Sequence, residues 1–457
     1  MTQIIISLIS FIIALSILVS IHEYGHYIVA KKLGFKVLRF SLGFGKPLLK
    51  YVGKKPDATE YILSPIPLGG YVKLLDEREG EVDRSELHKA FNRRPIYQRV
   101  CVLLAGPGFN FIFAIFAYFV IFSFGVTHYK PSIGYIDEGS IADISGMVAD
   151  EMIVKVGDNL TPTLEAATLS ILDEILSDGI IQITTSNELG NFRYLELDVR
   201  GLEKDLTMPG ELYKGLGFMP GPLRPAILGD VSQNMPADNA GLVRNDLILY
   251  LDNIKINNFS DLVTNVQIRP NKVVEVIIQR NGENLTKSLQ IGYSNINNAP
   301  IGIIGVKENI AVVSEILNQS VVIESHGFFG SIERSIIKTF QMSVMTLKMI
   351  SKMIMGDVSA KNISGPINIA VYAGDSAQSG LLSFINFLAI ISISLGVLNL
   401  LPIPLLDGGQ IVYQVVEFVK GSPISDKALI VSQNLGLVLI AMIISFAFYN
   451  DFIRLIS

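Results

Sequence analysis

The chain has 457 residues, of which 49% are hydrophobic and 17% charged, with a mean hydropathy of +0.44 and a net charge of −5. It is too apolar for an ordinary soluble protein and too polar for a chain made only of membrane spans, so several spans joined to a soluble portion are expected. The small net charge and the lack of a long basic run argue against nucleic acid as a partner. The single cysteine, Cys101, excludes an internal disulfide, and the absence of Trp leaves interfacial anchoring to Tyr, Lys and Arg.

The first apolar run, 4–27, is long enough to span and carries no charge from Ile4 to Glu23. It is too long for a signal-peptide core, and no small-residue cleavage site precedes His22. It ends in SIHEYGHYIVAKK, which contains H-E-x-x-H. On a helix, residues four apart share a face, so His22 and His26 can hold one metal while Glu23 reaches a water activated by it and acts as general base. Packing alone is a poor reason for these residues, because each ionised group at membrane depth disfavours insertion by about 2.5–3.5 kcal/mol. A zinc site binds with an apparent energy of roughly 10–16 kcal/mol, enough to offset that cost.

Residues 31–98 hold fourteen Lys/Arg against eight Asp/Glu and are placed in the cytoplasm by the positive-inside rule. Phe35–Phe40, Lys46–Val52 and Glu60–Leu63 read as short strands, with Gly43, Gly45 and Gly69–Gly70 as turn punctuation. The second span is expected at 99–126 and contains GPGFNF (106–111). The long segment 127–379 then lies outside.

That segment repeats itself at an offset of 95 residues. IDEGSIADISGMVADEMIVKVGDN (136–159) aligns without a gap on VSQNMPADNAGLVRNDLILYLDNI (231–254). Each copy reads as a strand, a short helix ending at glycine, a turn and an apolar strand. The second continues with a helix at Asp261–Ile268 and two strands, while 160–225 show no clear repeat. The copies resemble PDZ domains, which bind peptides by adding them to a sheet edge. Residues 331–355 are apolar at helical spacing but interrupted by Arg334, Lys338, Lys348 and Lys352, which suits a helix lying on the membrane surface better than a span.

Third and fourth spans are expected at 380–401 and 428–449, with NLLPIPLLDGG (399–409) at the cytoplasmic end of the third. A catalytic zinc usually has three protein ligands. No acid occurs between Glu23 and Asp57, and His88, His128 and His326 lie in loops, the last two outside. Asp407 is the remaining acid in an apolar setting on the correct side. D-G-G-Q also reads as an N-cap with Gln410 at N3. Yet two prolines and two glycines break the chain here at membrane depth, where irregular backbone must line a wet cavity or be buried in protein, and this favours Asp407 as the third ligand.

HEYGH in the first span, SLGFGK (41–46), IPLGGYVKLLDER (66–78), GPGFNF in the second span and NLLPIPLLDGG after the third are together similar to the site-2 protease family of intramembrane zinc metalloproteases, in its bacterial branch with tandem PDZ domains. The resemblance implies that His22, His26 and Asp407 bind Zn2+ and that Glu23 is catalytic. It assigns substrate handling to Asn399 and Pro402, with Gly43, Phe44 and Asn110 as further substrate-binding candidates. It implies a β-hairpin dipping into the membrane beside the site. The implied substrates are single-span membrane proteins already trimmed elsewhere, an anti-sigma factor and remnant signal peptides, with the outer domains acting as a size filter. The implied location is the bacterial inner membrane, with the site toward the cytoplasm and the termini and PDZ domains in the periplasm; membrane lipid and peptide or C-terminal ligands of the PDZ domains are further partners.

The expected architecture is a mixed membrane protein: four transmembrane helices, a membrane-associated β-hairpin region and two periplasmic PDZ domains of α+β type. Its divisions are the first span over 1–30, the β region over 31–98, the second span over 99–126, PDZ domains over 127–225 and 226–295, an extension with an amphipathic helix over 296–379, the third span over 380–402, the L-D-G element and a cytoplasmic loop over 403–427, and the fourth span over 428–457. Two other functions fit the residues less well. A non-catalytic, zinc-stabilised PDZ adaptor would have no use for Glu23 as a base. A zinc or ion transporter would need a path across the bilayer, which one ligand cluster on one side does not supply.

Overall fold

Four apolar runs become four helices of spanning length, Gln3–Lys32, Ile96–Phe124, Leu381–Leu400 and Asp426–Arg454, as expected where hydrocarbon obliges a backbone to bond to itself. The computed structural model describes residues 2–54, 58–222, 224–296 and 299–456. It has two units, one of residues 1–126 and 324–457, which contains all four spans, and one of residues 127–323.

In the membrane unit the second span is the centre. Its Ala114, Ala117, Tyr118, Ile121 and Phe122 pack with Ala389, Ile393 and Val397 of the third. The first span buries Ala14 and Leu18 against Phe387 and Leu388 of the third and Ala373 of helix Pro366–Gln378. The fourth span is held most loosely, with 6% of its apolar window buried against 22–39% for the others.

The helix expected at 331–355 runs over Phe328–Met355 and is not among the candidate spans. It buries Ser331, Ser335 and Thr339 and packs Met342 and Ile350 onto the cluster formed by spans two and three. Just before it, His326 N–H donates to Phe122 O at the end of span two. Beyond it, residues 360–368 are tied to the end of span four. Asn450 Nδ2 donates to Ala360 O and Ile363 O, and Asp451 accepts from the amides of Gly365, Ile367 and Asn368 and from Asn368 Nδ2 at 2.6–3.1 Å. Both flanks therefore sit at C-terminal ends of spans, those of spans two and four.

Between spans one and two stands a four-stranded sheet. The strands are Val37–Phe44, Leu49–Val52, Glu60–Leu63 and Ile66–Leu74. Glu60–Leu63 pairs parallel with Val37–Phe44, and Ile66–Leu74 pairs antiparallel on the other side of Val37–Phe44 and forms an edge. Two sequence expectations change here. The first strand runs on through Gly43, and Gly69–Gly70 are not a turn but the middle of the fourth strand.

The unit 127–323 contains the same fold twice. Met152–Val156, Asn159–Leu160, helix Leu164–Ile175, Ile180–Ser186 and Phe192–Asp198 recur as Leu247–Leu251, Ile254–Lys255, helix Phe259–Gln267, Val273–Arg280 and Glu283–Gln290, with the sheet order repeated strand for strand. So 164–198 and 218–220 do repeat in structure if not in residue identity, while helices Glu203–Leu206 and Leu212–Leu216 have no counterpart in the second copy. Left-handed backbone recurs at the 95-residue offset, at Gly139 and Asn234, Gly146 and Gly241, Asp150 and Asn245, and Gly157 and Asp252, with φ between 47° and 81°. Each copy closes by pairing a late strand with its first: Phe218–Pro220 with Ile133–Ile136, and Val306–Glu308 with Leu228–Val231. The second copy thus runs past the boundary expected at 295, and Ile304 and Val306 belong to its core cluster.

Asp451 is fully buried and serves four donors. Asp451→Ala strands them, a loss of about 3 kcal/mol for charge-assisted bonds, and should lower the thermal midpoint in detergent by roughly 3–6 °C, with partial recovery in Asp451→Asn. An unchanged midpoint would show that this contact does not hold span four.

Candidate active site

His22 and His26 lie one turn apart near the end of span one, and span two determines how their rings stand. A Cβ at Gly106 would be 2.3 Å from His26 Nε2 and 2.8 Å from His22 Cε1, so only glycine lets the helix pass this close to both imidazoles. Behind His26, Nδ1 lies 2.8 Å from Val102 O. A carbonyl only accepts, so Nδ1 carries the proton and Nε2 keeps its lone pair.

Behind His22, Nδ1 lies 3.2 Å from Asn110 Nδ2, while Asn110 Oδ1 is buried without a partner. Exchanging the amide's nitrogen and oxygen, which have the same shape, lets Oδ1 accept from Nδ1–H. That removes the orphan and leaves His22 Nε2 free as well. Asn110 is completely buried, so it stands behind the metal candidate and not on the cavity wall.

The third side chain comes from the broken end of span three. The helix stops at Leu400 and a new one begins at Asp407. Gly408 and Gly409 allow this tight restart, since a Cβ there would be 2.2–2.3 Å from the carbonyls of Leu400, Leu401 and Ile403. Leu405 is left-handed at φ 84°, a strained conformation for leucine. The N-cap is Leu406, without a side-chain cap bond. Asp407 is the first helical residue, and its carboxylate turns to the histidines instead of capping.

His22 Nε2 is 3.2 Å from His26 Nε2 and 3.2 Å from Asp407 Oδ2, and His26 Nε2 is 3.4 Å from Asp407 Oδ1. Asp407 Oδ2 is buried yet has no hydrogen-bond partner, so these atoms point to a shared centre more than to one another. Tetrahedral zinc with bonds of 2.0–2.1 Å puts neighbouring ligand atoms about 3.3–3.4 Å apart. The three residues therefore fit a zinc ion with one position open. They form the one such ligand group among the described residues.

Glu23 sits beside this group. Strand Ile66–Leu74 passes so close that a Cβ at Gly70 would be 2.9 Å from Glu23 Cγ and 2.8 Å from Ser41 O, which explains a glycine in mid-strand. Glu23 and Val72 line the same cavity. This cavity of about 1000 Å³ opens in front, walled by Gly70–Leu74, by Gln410 and Gln414 of helix Asp407–Lys420, by Asn399, and by the first turns of span four. Arg99 of span two, 4% exposed, forks onto Glu417 at 2.7 and 3.1 Å and fixes that helix.

Asn399 thus lines the cavity, and its amide has no partner among the described residues. Pro402 is exposed at the helix break, outside the lining. Gly43 is left-handed at φ 83° and Phe44 stacks on Tyr71, both outside the lining. Sequence reasoning missed the Arg99–Glu417 fork, the carbonyl of Val102 and the role of Gly106. The one available signal was a lone arginine at the mouth of an apolar run.

The chain matches the sequence profile of peptidase family M50 over residues 10–443. It is 36% identical over 450 residues to the regulator of sigma-E protease RseP of Escherichia coli, covering 98% of each chain. It is 38% identical over 455 residues to the regulator of sigma E protease of Haemophilus influenzae, covering 98% of this chain and 99% of that one. It is 35% identical over 460 residues, the full length of both, to a Vibrio cholerae protein named as a zinc metalloprotease.

Gly106→Ala should drive the imidazoles off the shared centre and lower bound metal well below one per chain. Gly108→Ala, where a Cβ would meet nothing within 4 Å, should leave it unchanged. Equal metal content in both would refute the close-approach argument.

Proposed function

The chain belongs to peptidase family M50 and is a zinc metalloprotease, and we propose that it hydrolyses peptide bonds inside the membrane segments of single-span proteins already trimmed on their outer side. The observation that carries this reading is the metal-sized spacing of His22, His26 and Asp407, with Glu23 adjacent, in a cavity of the unit that holds the spans. His22, His26 and Asp407 would hold the zinc. Zinc, when bound, polarises the scissile carbonyl and acidifies water. Glu23 removes the proton from the attacking water and delivers it to the departing amine nitrogen.

A membrane helix shields its carbonyls, because each is bonded within the helix. The substrate must become extended at the site, and the edge strand Ile66–Leu74 supplies a template for it. One side of this strand pairs with Val37–Phe44, and the other has no strand partner among the described residues. Asn399, unpartnered at the helix break, is placed to bond freed main-chain groups of the substrate.

The repeated fold over 127–308 supports the tandem PDZ reading, because each copy carries the same strand order and closing strand. Four spans and the basic loop 31–98 support an inner-membrane protein with its site toward the cytoplasm and its PDZ domains in the periplasm. In that position the PDZ pair would exclude substrates with bulky outer domains. The names of the relatives point to control of sigma-E, through an anti-sigma factor, as the physiological setting, with remnant signal peptides as further substrates.

The deciding assay uses purified protein and a model single-span substrate with and without an outer domain. Wild type should cut the trimmed form only, and Glu23→Gln should cut neither while retaining about one zinc per chain. Zinc-loaded wild type that cuts nothing would favour a non-catalytic adaptor. A proline in the edge strand, Leu74→Pro, should reduce cleavage at least tenfold with zinc retained; unimpaired cleavage would remove the edge strand from substrate binding.

A further inference from the structure

The cavity has a second polar wall that the catalytic reading leaves unused. Helix Asp407–Lys420 turns Gln410 and Gln414 into it. Gln414 is 5% exposed, its Oε1 is buried without a hydrogen-bond partner, and neither side chain makes a hydrogen bond among the described residues. Buried amides are ordinarily paired, and an unpaired one facing a cavity marks where a polar ligand atom would sit.

The strand Ile66–Leu74 lines the same cavity from the sheet side. A peptide added to its edge bonds the sheet with every second residue. The alternate N–H and C=O groups project the other way, into the cavity, and need partners. A carboxamide offers both a donor and an acceptor, which suits main chain and is indifferent to side-chain identity.

We infer that Gln414, supported by Gln410, binds the outward main-chain groups of the extended substrate, so that the peptide is held between the edge strand and helix Asp407–Lys420. This rests on the peptide-addition reading above. It also fixes a register. Asp407 and Gln414 are seven residues apart, hence on one face of the helix and about 10 Å apart along its axis. An extended chain covers that distance in about three residues. Gln414 is therefore a positioning residue that engages the substrate three residues from the cleaved bond, toward the end of the cavity bounded by Arg99 and Glu417.

The test is disulfide trapping in the full-length protein, with Cys101→Ser removing the one native thiol and Glu23→Gln preventing turnover. A single cysteine is moved along the membrane segment of a model substrate against either Gln414→Cys or Lys73→Cys. The expected result is that Lys73→Cys traps the segment and Gln414→Cys traps it with a maximum three residues from the cleaved bond, within one residue. Trapping by Lys73→Cys alone, or a maximum elsewhere, overturns the assignment of Gln414 and leaves peptide addition standing. Trapping by neither overturns both. In the active enzyme, Gln414→Leu should raise KM about 3- to 10-fold, as for one neutral hydrogen bond, with kcat and zinc content little changed. An unchanged KM, or a fall in kcat with loss of zinc, would overturn the inference.

Discussion

Three side chains that hydrocarbon disfavours have their ligating atoms 3.2–3.4 Å apart, and the surrounding elements stand where they must to keep them so. Span one can present two histidines on one face, but a third ligand on that face would stand a further turn or more away. It has to come from another element. The chain meets this need by breaking span three and restarting a helix with Asp407 as its first residue. The restart is fixed from two directions, by backbone that only glycine fits at 408 and 409 and by the buried fork between Arg99 and Glu417 ten residues along the new helix. Such a fork favours geometry more than stability, since taking two charges out of water costs much of what their attraction returns.

The same economy of space explains why a β-strand stands against a membrane helix. Glu23 has a metal-ligating neighbour on one side and the strand Ile66–Leu74 on the other, and Gly70 is where the two meet. A helix in that place would carry no free edge, because its amides are spent internally. A strand supplies unpaired main chain beside the Glu23 carboxylate, a form of structure that can take an unwound peptide through main-chain bonds.

Much of this was legible in the sequence because charges and prolines are conspicuous in apolar surroundings. HEYGH and the L-D-G break identify themselves, and parity of crossings puts them on one side. What escaped detection was carried by residues whose meaning depends on context. Gly69–Gly70 has the composition of a turn, and only the nearness of Glu23 and of the Phe44 ring makes it strand. The later part of the repeat was hidden because the copies share elements and strand order there and not residue identity. Within the part that was legible, Gly139 answers to Asn234 and Gly157 to Asp252, and all four adopt positive φ, a region that Gly and Asn or Asp tolerate. Asp407 was ambiguous for a related reason, since a helix start favours an acid whether it caps or not. The backbone excludes the cap, because Leu406 holds that position.

Distribution of the ligands also sets what metal binding can report. His22 and His26 are local to one helix and would be brought together by any helical state of span one. Asp407 lies 381 residues beyond His26, and its approach requires span three to dock on span two through Ala389, Ile393 and Val397 and the Arg99–Glu417 fork to close. The two partial sites have too few ligands to bind zinc tightly, so full affinity appears only in the assembled membrane unit. Binding and assembly are then one equilibrium. A mutation far from the ligands that loosens spans two and three lowers zinc affinity without touching the centre, and the ion, once bound, stabilises the packing of spans that apolar surface alone holds weakly in lipid.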